Sequence, residues 1–304
     1  MENSSKIYAV VVTYHPDVSH LQVLVTALCE EFDGVIIVDN GTSEVGFPAG
    51  MAESNHNLSI KFNGENLGIG AAQNIGIRLA LAQHVTHVVV FDQDSMVTPG
   101  FRCHLIEAES SLKQKGARVA AVGPKLIDQA TGSIIPFVAF SYGIKRRLSV
   151  TSPEQVVECF SLLSSGTLMS REALEVVGLM REDLFLEYVD VEWGARARSH
   201  GLRSYGVAAA ILSHNLGDQR LKIGPIIVPL HSPIRHYYTM RNAVTMQKHP
   251  AFPFYWKIYD VVRTVRGFIL FSCVNPPRLT QMKFMLRGLY HGFIGKSGPF
   301  PGKR

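Results

Sequence analysis

The sequence predicts an α/β fold: a mixed, mainly parallel sheet flanked by helices, followed by a helical C-terminal extension. Three observations predict it. Short runs rich in Val and Ile alternate with stretches of helical spacing up to Gly123. After Gly132 the strands come without long helices between them. From about Ser232 onward the chain reads as helix, broken at Pro250, Pro253 and Pro276–Pro277.

Taken in order, Ile7–Thr13, Val35–Asp39, Leu58–Phe62, His87–Phe91 and Val119–Gly123 read as buried strands. Ser19–Glu31, Gly70–Gln83 and Pro99–Gln114 lie between them with helix-like spacing. Such alternation makes a parallel sheet covered by helices. Ile134–Tyr142 and Val156–Leu163 then read as strands, Arg171–Val177 and Val191–His200 as helices, and Arg203–Ser213 as a returning strand. The domain division this implies is 1–230 for the sheet-bearing body and 231–304 for a basic, amphipathic helical region.

Net charge divides the same way. The chain totals +5, but residues 1–220 carry 17 Lys/Arg against 24 Asp/Glu, whereas residues 221–304 carry 13 Lys/Arg and one acid, Asp260, a net of +12. A basic segment on an acidic body suits anionic phosphates, on nucleic acid or on a lipid surface. Glycine–aromatic RNA motifs and a helix-turn-helix pattern are absent, which counts against nucleic acid. Phe252 to Val274 mixes aromatic and apolar residues with Lys257, Arg263 and Arg266, and its longest charge-free apolar run, Gly267 to Val274, is too short to span a bilayer. An interfacial helix and a helix packed on the body both fit this stretch. The four cysteines stand far apart without a CxxC spacing, which suits a reducing cytoplasm, and no signal peptide is expected from the N-terminal residues.

Several constellations could carry chemistry. FDQDS at 91–95 places Asp92 and Asp94 directly after an apolar run, at the carboxyl edge of a parallel sheet, where a hard divalent cation relieves the repulsion between them. A solvated turn is the plainer alternative. NLGIGAAQNIGI at 66–77 lacks the third glycine of a dinucleotide fingerprint, but its glycines allow close backbone approach to a ligand. Thr13 with Tyr14, and Asp39 with Asn40, follow two adjacent strands and could clamp a base, although Asn40-Gly41 is also a good turn. Glu187, Asp190 and Glu192 crowd a helix start, as capping acids or with one carboxylate serving as general base; Asp190 is the choice, and Glu187 stays open. His214 ends a strand where it could join Asp94 on a metal, and Arg241 offers a phosphate clamp.

Taken together, VVVTYHPD, IIVDNGT, NLGIGAAQNIGI, FDQDS, FLEYVDVEW, SHN and YYTMRN resemble the inverting glycosyltransferases of family 2, especially bacterial rhamnosyltransferases of O-antigen and cell-wall polysaccharide synthesis. The resemblance runs from residue 10 to 242 and implies the GT-A fold. It also implies that Thr13, Tyr14 and Asp39 bind the pyrimidine, and that Asn66, Gly68 and Asn74 lie along the nucleotide. Asp92, with Gln93 beside it, and Arg241 would contact the ribose and diphosphate. Asp94 and His214 would hold Mg²⁺ or Mn²⁺, and Asp190 would be the base, with Glu192 and Trp193 shaping the acceptor side. The implied donor is dTDP-rhamnose, and the acceptor a glycan or a polyprenyl-diphosphate-linked oligosaccharide at the inner face of the cytoplasmic membrane. A UDP-sugar donor, or a non-catalytic binding protein on the same fold, stands as the alternative, and an apolar C-terminal helix pair is compatible with a homodimer.

Overall fold

The computed structural model describes residues 5–42, 51, 55–141, 143–214, 219–223 and 226–302, with side chains described outside 141, 214, 219–223 and 226–230. The elements run β1 (Ile7–Thr13), α1 (Val18–Glu31), β2 (Gly34–Asp39), β3 (Leu58–Phe62), α2 (Ile69–Ala82), β4 (His87–Asp92), β5 (Met96–Val97), α3 (Phe101–Gln114) and β6 (Val119–Asp128). There follow β7 (Ile134–Ile135), β8 (Phe137–Ser141), β9 (Ile144–Leu148), β10 (Val156–Cys159), β11 (Thr167–Ser170), α4 (Arg171–Val177), α5 (Val189–Ser199) and β12 (Arg203–His214). The hairpin β13 (Gln219–Ile223) and β14 (Ile226–Leu230) precedes α6 (Pro233–Lys248), α7 (Phe254–Val274) and α8 (Arg278–Phe293).

The main sheet has the order β10-β12-β6-β11-β4-β1-β2-β3. Strands β3, β2, β1 and β4 are parallel, as are β6 and β12, while β11 runs antiparallel between β4 and β6. The mixed, mainly parallel sheet therefore stands as expected. Its change of direction lies at β11, four residues that show no strand pattern in the sequence, and the antiparallel β13–β14 hairpin lies just ahead of the helical pattern that begins at about Ser232.

The apolar runs are unbroken because both faces of the sheet are covered. Side chains alternate across a strand, so Val10 and Val12 of β1 enter one core while Ile7, Ala9 and Val11 enter the other. In β4, Val88 and Val90 divide from Val89 and Phe91 in the same way. One core is closed by α1 and α3 through Leu21, Leu24, Leu28, Phe101 and Leu105. The other is closed by α2, α4 and α5, and also by Met246, Phe252 and Trp256 of the C-terminal region. That region is thus partly an integral wall of the body. Burial of each large side chain contributes about 2 kcal/mol relative to exposure, enough to fix α6 and α7 in place. Among the described residues, no helix is long and apolar enough to cross a membrane.

Candidate active site at the carboxyl edge of the sheet

Parallel register brings three polar strand ends together: Thr13 pairs with Asp39, and Val12 with Asp92. Asp39 is fully buried, and its oxygens accept from the Thr13 hydroxyl (2.9 Å) and from the amides of Gly41 (3.2 Å) and Thr42 (2.7 Å). The carboxylate shapes the turn that follows β2. Thr13 and Asp39, expected as pyrimidine contacts, are thus held inside the strand ends; the exposed ring there is that of Tyr14. Gln93, expected against the donor, bridges two strand ends instead: its Oε1 accepts from the Tyr14 amide (2.7 Å) and its Nε2 donates to the Tyr14 carbonyl (3.2 Å).

The glycine-rich segment meets protein where a nucleotide contact was expected. Asn66 Oδ1 accepts from Asn40 Nδ2 (3.1 Å) and from the Gly68 amide (2.9 Å), fixing the loop before α2. Gly68 sits at φ +90°, and a Cβ there would lie 2.5 Å from the Phe185 carbonyl oxygen, which accepts from the Ile69 amide at 2.7 Å. Only glycine fits such a backbone-to-backbone approach. Asn74 is buried, donates to the Met180 carbonyl (2.9 Å) and to Glu182 (2.8 Å), and accepts from the Met180 amide (2.9 Å). Gly68 and Asn74 therefore tie α2 to the segment 180–185 that precedes α5, while Asn66 ties the leading loop to the end of β2 through Asn40.

That segment delivers Asp190. It lies in the first turn of α5, and its Oδ1 accepts from the Val191 amide (2.8 Å). Burial pushes its carboxyl up to about 6, with the charges of Glu187 and Asp92 adding to the rise and the Val191 amide opposing it. The Asp92 amide donates to Ser165 Oγ (3.2 Å), which lies 2.6 Å from Ser95 Oγ. Ser165 and Asp190 line one cavity of about 370 Å³, together with Glu187, Tyr188 and Arg263. Glu187 pairs with Arg235 at 2.8 Å. A carboxylate raised to about 6 beside an open cavity stays largely ionised at neutral pH yet can accept a proton, which is what a general base requires.

Asp94 lines a neighbouring cavity of about 410 Å³ with Ser95, Asp128, Gln129 and Ser213. Among the described residues, the link between Asp94 and Asp190 runs through Asp92, Ser95 and Ser165. These carboxylate, hydroxyl and amide oxygens fit a hard divalent cation. Among the described residues no group of three or more His, Cys, Asp or Glu is assembled for a metal. The side chain of His214 lies outside the described residues, although its backbone ends β12, and Ser213 pairs with Met96 beside the Asp94 turn.

Three expected contacts turn inward. Arg241 is 1 % exposed. Its guanidinium donates to the carbonyls of Gly298 (2.5 Å), Leu184 (2.6 Å) and Asp183 (3.3 Å) and to Asn242 Oδ1 (2.9 Å), and it covers the Tyr238 ring. It is a positioning residue that locks α6 to the turn before α5, and it does not reach the strand edge as a diphosphate clamp. Glu192 is fully buried against Arg196 (3.0 Å) and His249 (3.3 Å). Trp193 is buried, and its indole N–H donates to the Gly178 carbonyl (2.8 Å). Both are buried against the body, while Asp190, in the first turn of α5, lines the cavity. A charged residue on a helix start gives no sign in sequence of which side is inward.

Sequence reasoning missed the cavity's other wall. Trp256, Tyr259, Asp260 and Arg263 of α7 line it, as does Lys145 of β9, whose Nζ donates to the Tyr259 hydroxyl (2.8 Å). Asp260 is fully buried and accepts from the Tyr188 hydroxyl (2.9 Å) and from Arg263 (2.8 Å). The signal was there: a lone acid in a strongly basic region, three residues before an arginine, is spaced for a helical ion pair.

The family model for glycosyl transferase family 2 matches residues 8–177. The chain is 32% identical over 297 residues to the dTDP-rhamnosyl transferase RfbF of Shigella flexneri, covering 97% of this chain and 98% of that protein. It is 25% identical over 205 residues to the uncharacterized protein Rv1525 of Mycobacterium tuberculosis, covering 63% of this chain and 67% of the other. Among solved structures it is similar to GalNAc-T7 with UDP, GalNAc and Mn²⁺ (TM-score 0.56, 12% identity, 97% of this chain but 57% of that one). It is also similar to S. aureus TarS 1-349 (TM-score 0.54, 15% identity, 94% of this chain and 80% of the other). The structural likenesses concern the fold.

Proposed function

The chain belongs to glycosyl transferase family 2, and from that premise we propose that it moves L-rhamnose from dTDP-rhamnose, with inversion, to a hydroxyl of a glycan or polyprenyl-diphosphate-linked acceptor. The observation that carries the reading is Asp190, a carboxyl raised toward neutrality in an open cavity and coupled electrostatically to the strand-end Asp92. The similarity to RfbF over nearly the whole chain supports the donor.

Asp190 takes the proton of the acceptor hydroxyl as its oxygen attacks the anomeric carbon. The bond from that carbon to the diphosphate oxygen breaks, and its electron pair leaves with the diphosphate. Direct attack with a single base and no covalent sugar–enzyme intermediate inverts the anomeric centre. Asp94 and His214 would hold Mg²⁺ or Mn²⁺, and the bound cation would supply positive charge for the diphosphate. Asp92 would meet the donor's ribose or diphosphate side, and Tyr14 the base. The enzyme would work in the cytoplasm, against the inner face of the cytoplasmic membrane.

A donor panel tests the reading: thermal stabilisation and sugar release with dTDP-rhamnose, several UDP-sugars and GDP-mannose, each with Mn²⁺ or Mg²⁺. Selective response to dTDP-rhamnose is expected. A response confined to UDP-sugars would replace the donor, and binding without release or transfer would favour a non-catalytic protein.

A further inference from the structure

Helix α7 has two working faces. On the inner one, Trp256, Tyr259, Asp260 and Arg263 wall the cavity that holds Asp190. On the outer one, Phe254, Ile258, Val261, Val262, Val265 and Ile269 recur at helical spacing and stay exposed, from 47% for Val261 to 77% for Phe254. At 100° per residue these six fall on one stripe, with Lys257 on one flank and Arg266 on the other. Helix α8 adds a second exposed stripe, Leu279, Leu286, Tyr290 and Phe293, with Lys283 and Arg287 beside it. The one acidic side chain between 221 and 304, Asp260, is buried against Tyr188 and Arg263, so neither α7 nor α8 puts an acid on that outer face.

We propose that the outer face of α7 and α8 docks on an anionic lipid surface, with α7 lying in the interface plane. An apolar stripe bordered by cations is the pattern of such a helix, its apolar side chains entering the headgroup boundary and its Lys and Arg meeting lipid phosphates. Charge selects this occupant over a second copy of the chain. A symmetric pairing through the stripes would bring the Lys257, Arg266, Lys283 and Arg287 flanks of two copies together, whereas anionic headgroups neutralise them. One consequence rests on the transferase reading: a helix that lies on lipid with one face and walls the Asp190 cavity with the other holds that cavity at headgroup level, where a lipid-anchored acceptor would present its sugar.

The test is co-sedimentation of the full chain with phosphatidylcholine vesicles with and without phosphatidylglycerol, for the wild type and for Val261→Asp combined with Val265→Asp. The wild type should sediment with the anionic vesicles, less so in high salt. The double variant should bind about tenfold or more weakly, with Tm and transfer to a water-soluble acceptor unchanged. Equal binding by both proteins, or none by the wild type, would overturn the proposal. So would light scattering that shows a wild-type dimer dissolved by the double variant. Vesicle binding without transfer from any donor would support docking and remove the transferase reading alone.

Discussion

Asp190, in the first turn of α5, feels the charge of Asp92, the last residue of β4, and that coupling helps to hold its carboxyl near 6. The two acids come from segments almost a hundred residues apart and meet because the 180–185 segment is tied down by Gly68, Asn74 and Arg241.

The rate of transfer should therefore rise with pH through about 6 and level off above it, since a base works only when deprotonated. For stability the sign is opposite. A carboxyl raised above its unfolded value favours the fold most at low pH and loses that contribution as pH climbs through 6. Asp190→Asn should accordingly show an unchanged or higher Tm at neutral pH, by thermal melting.

Glu187→Gln separates the two candidate bases. Removing the Glu187 charge lowers the Asp190 carboxyl, so the inflection of the pH–rate profile should move to more acid pH while activity persists. Loss of all activity with donor binding intact would assign the base to Glu187.

Arg241→Ala should unfold the protein more easily by about 3 kcal/mol, because three carbonyls lose a buried charged donor. Urea titration reads this, and donor affinity measured on the folded fraction should change little. Gly68→Ala should be comparably harmful, by roughly 2–4 kcal/mol, since its Cβ would meet the Phe185 carbonyl at a positive φ.

Asp94→Ala should abolish the difference in donor affinity measured with and without Mn²⁺, by calorimetric titration. Equal metal dependence in variant and wild type would place the cation elsewhere.

The strands of the sheet were legible because period-2 burial on two covered faces leaves unbroken Val and Ile runs, as in β1, β2 and β4. Strand β11 was not, since four residues between β4 and β6 carry too little pattern to mark a strand. Asp92, Asp94 and Asp190 could be nominated from their places at a strand end and a helix start. The inward turn of Arg241, Glu192, Trp193 and Asn74 could not, because a polar side chain reads alike in sequence whether it meets a ligand or a distant carbonyl. The two faces of α7 were half legible: its apolar and basic residues suggested an interface, but only tertiary packing shows Asp260 and Arg263 walling the cavity.

The most direct measurement is single-turnover transfer from dTDP-rhamnose by wild type and Asp190→Asn, with donor affinity measured in parallel. The account predicts that the variant binds donor as the wild type does and transfers at least about a hundredfold more slowly. Undiminished turnover by Asp190→Asn would contradict it.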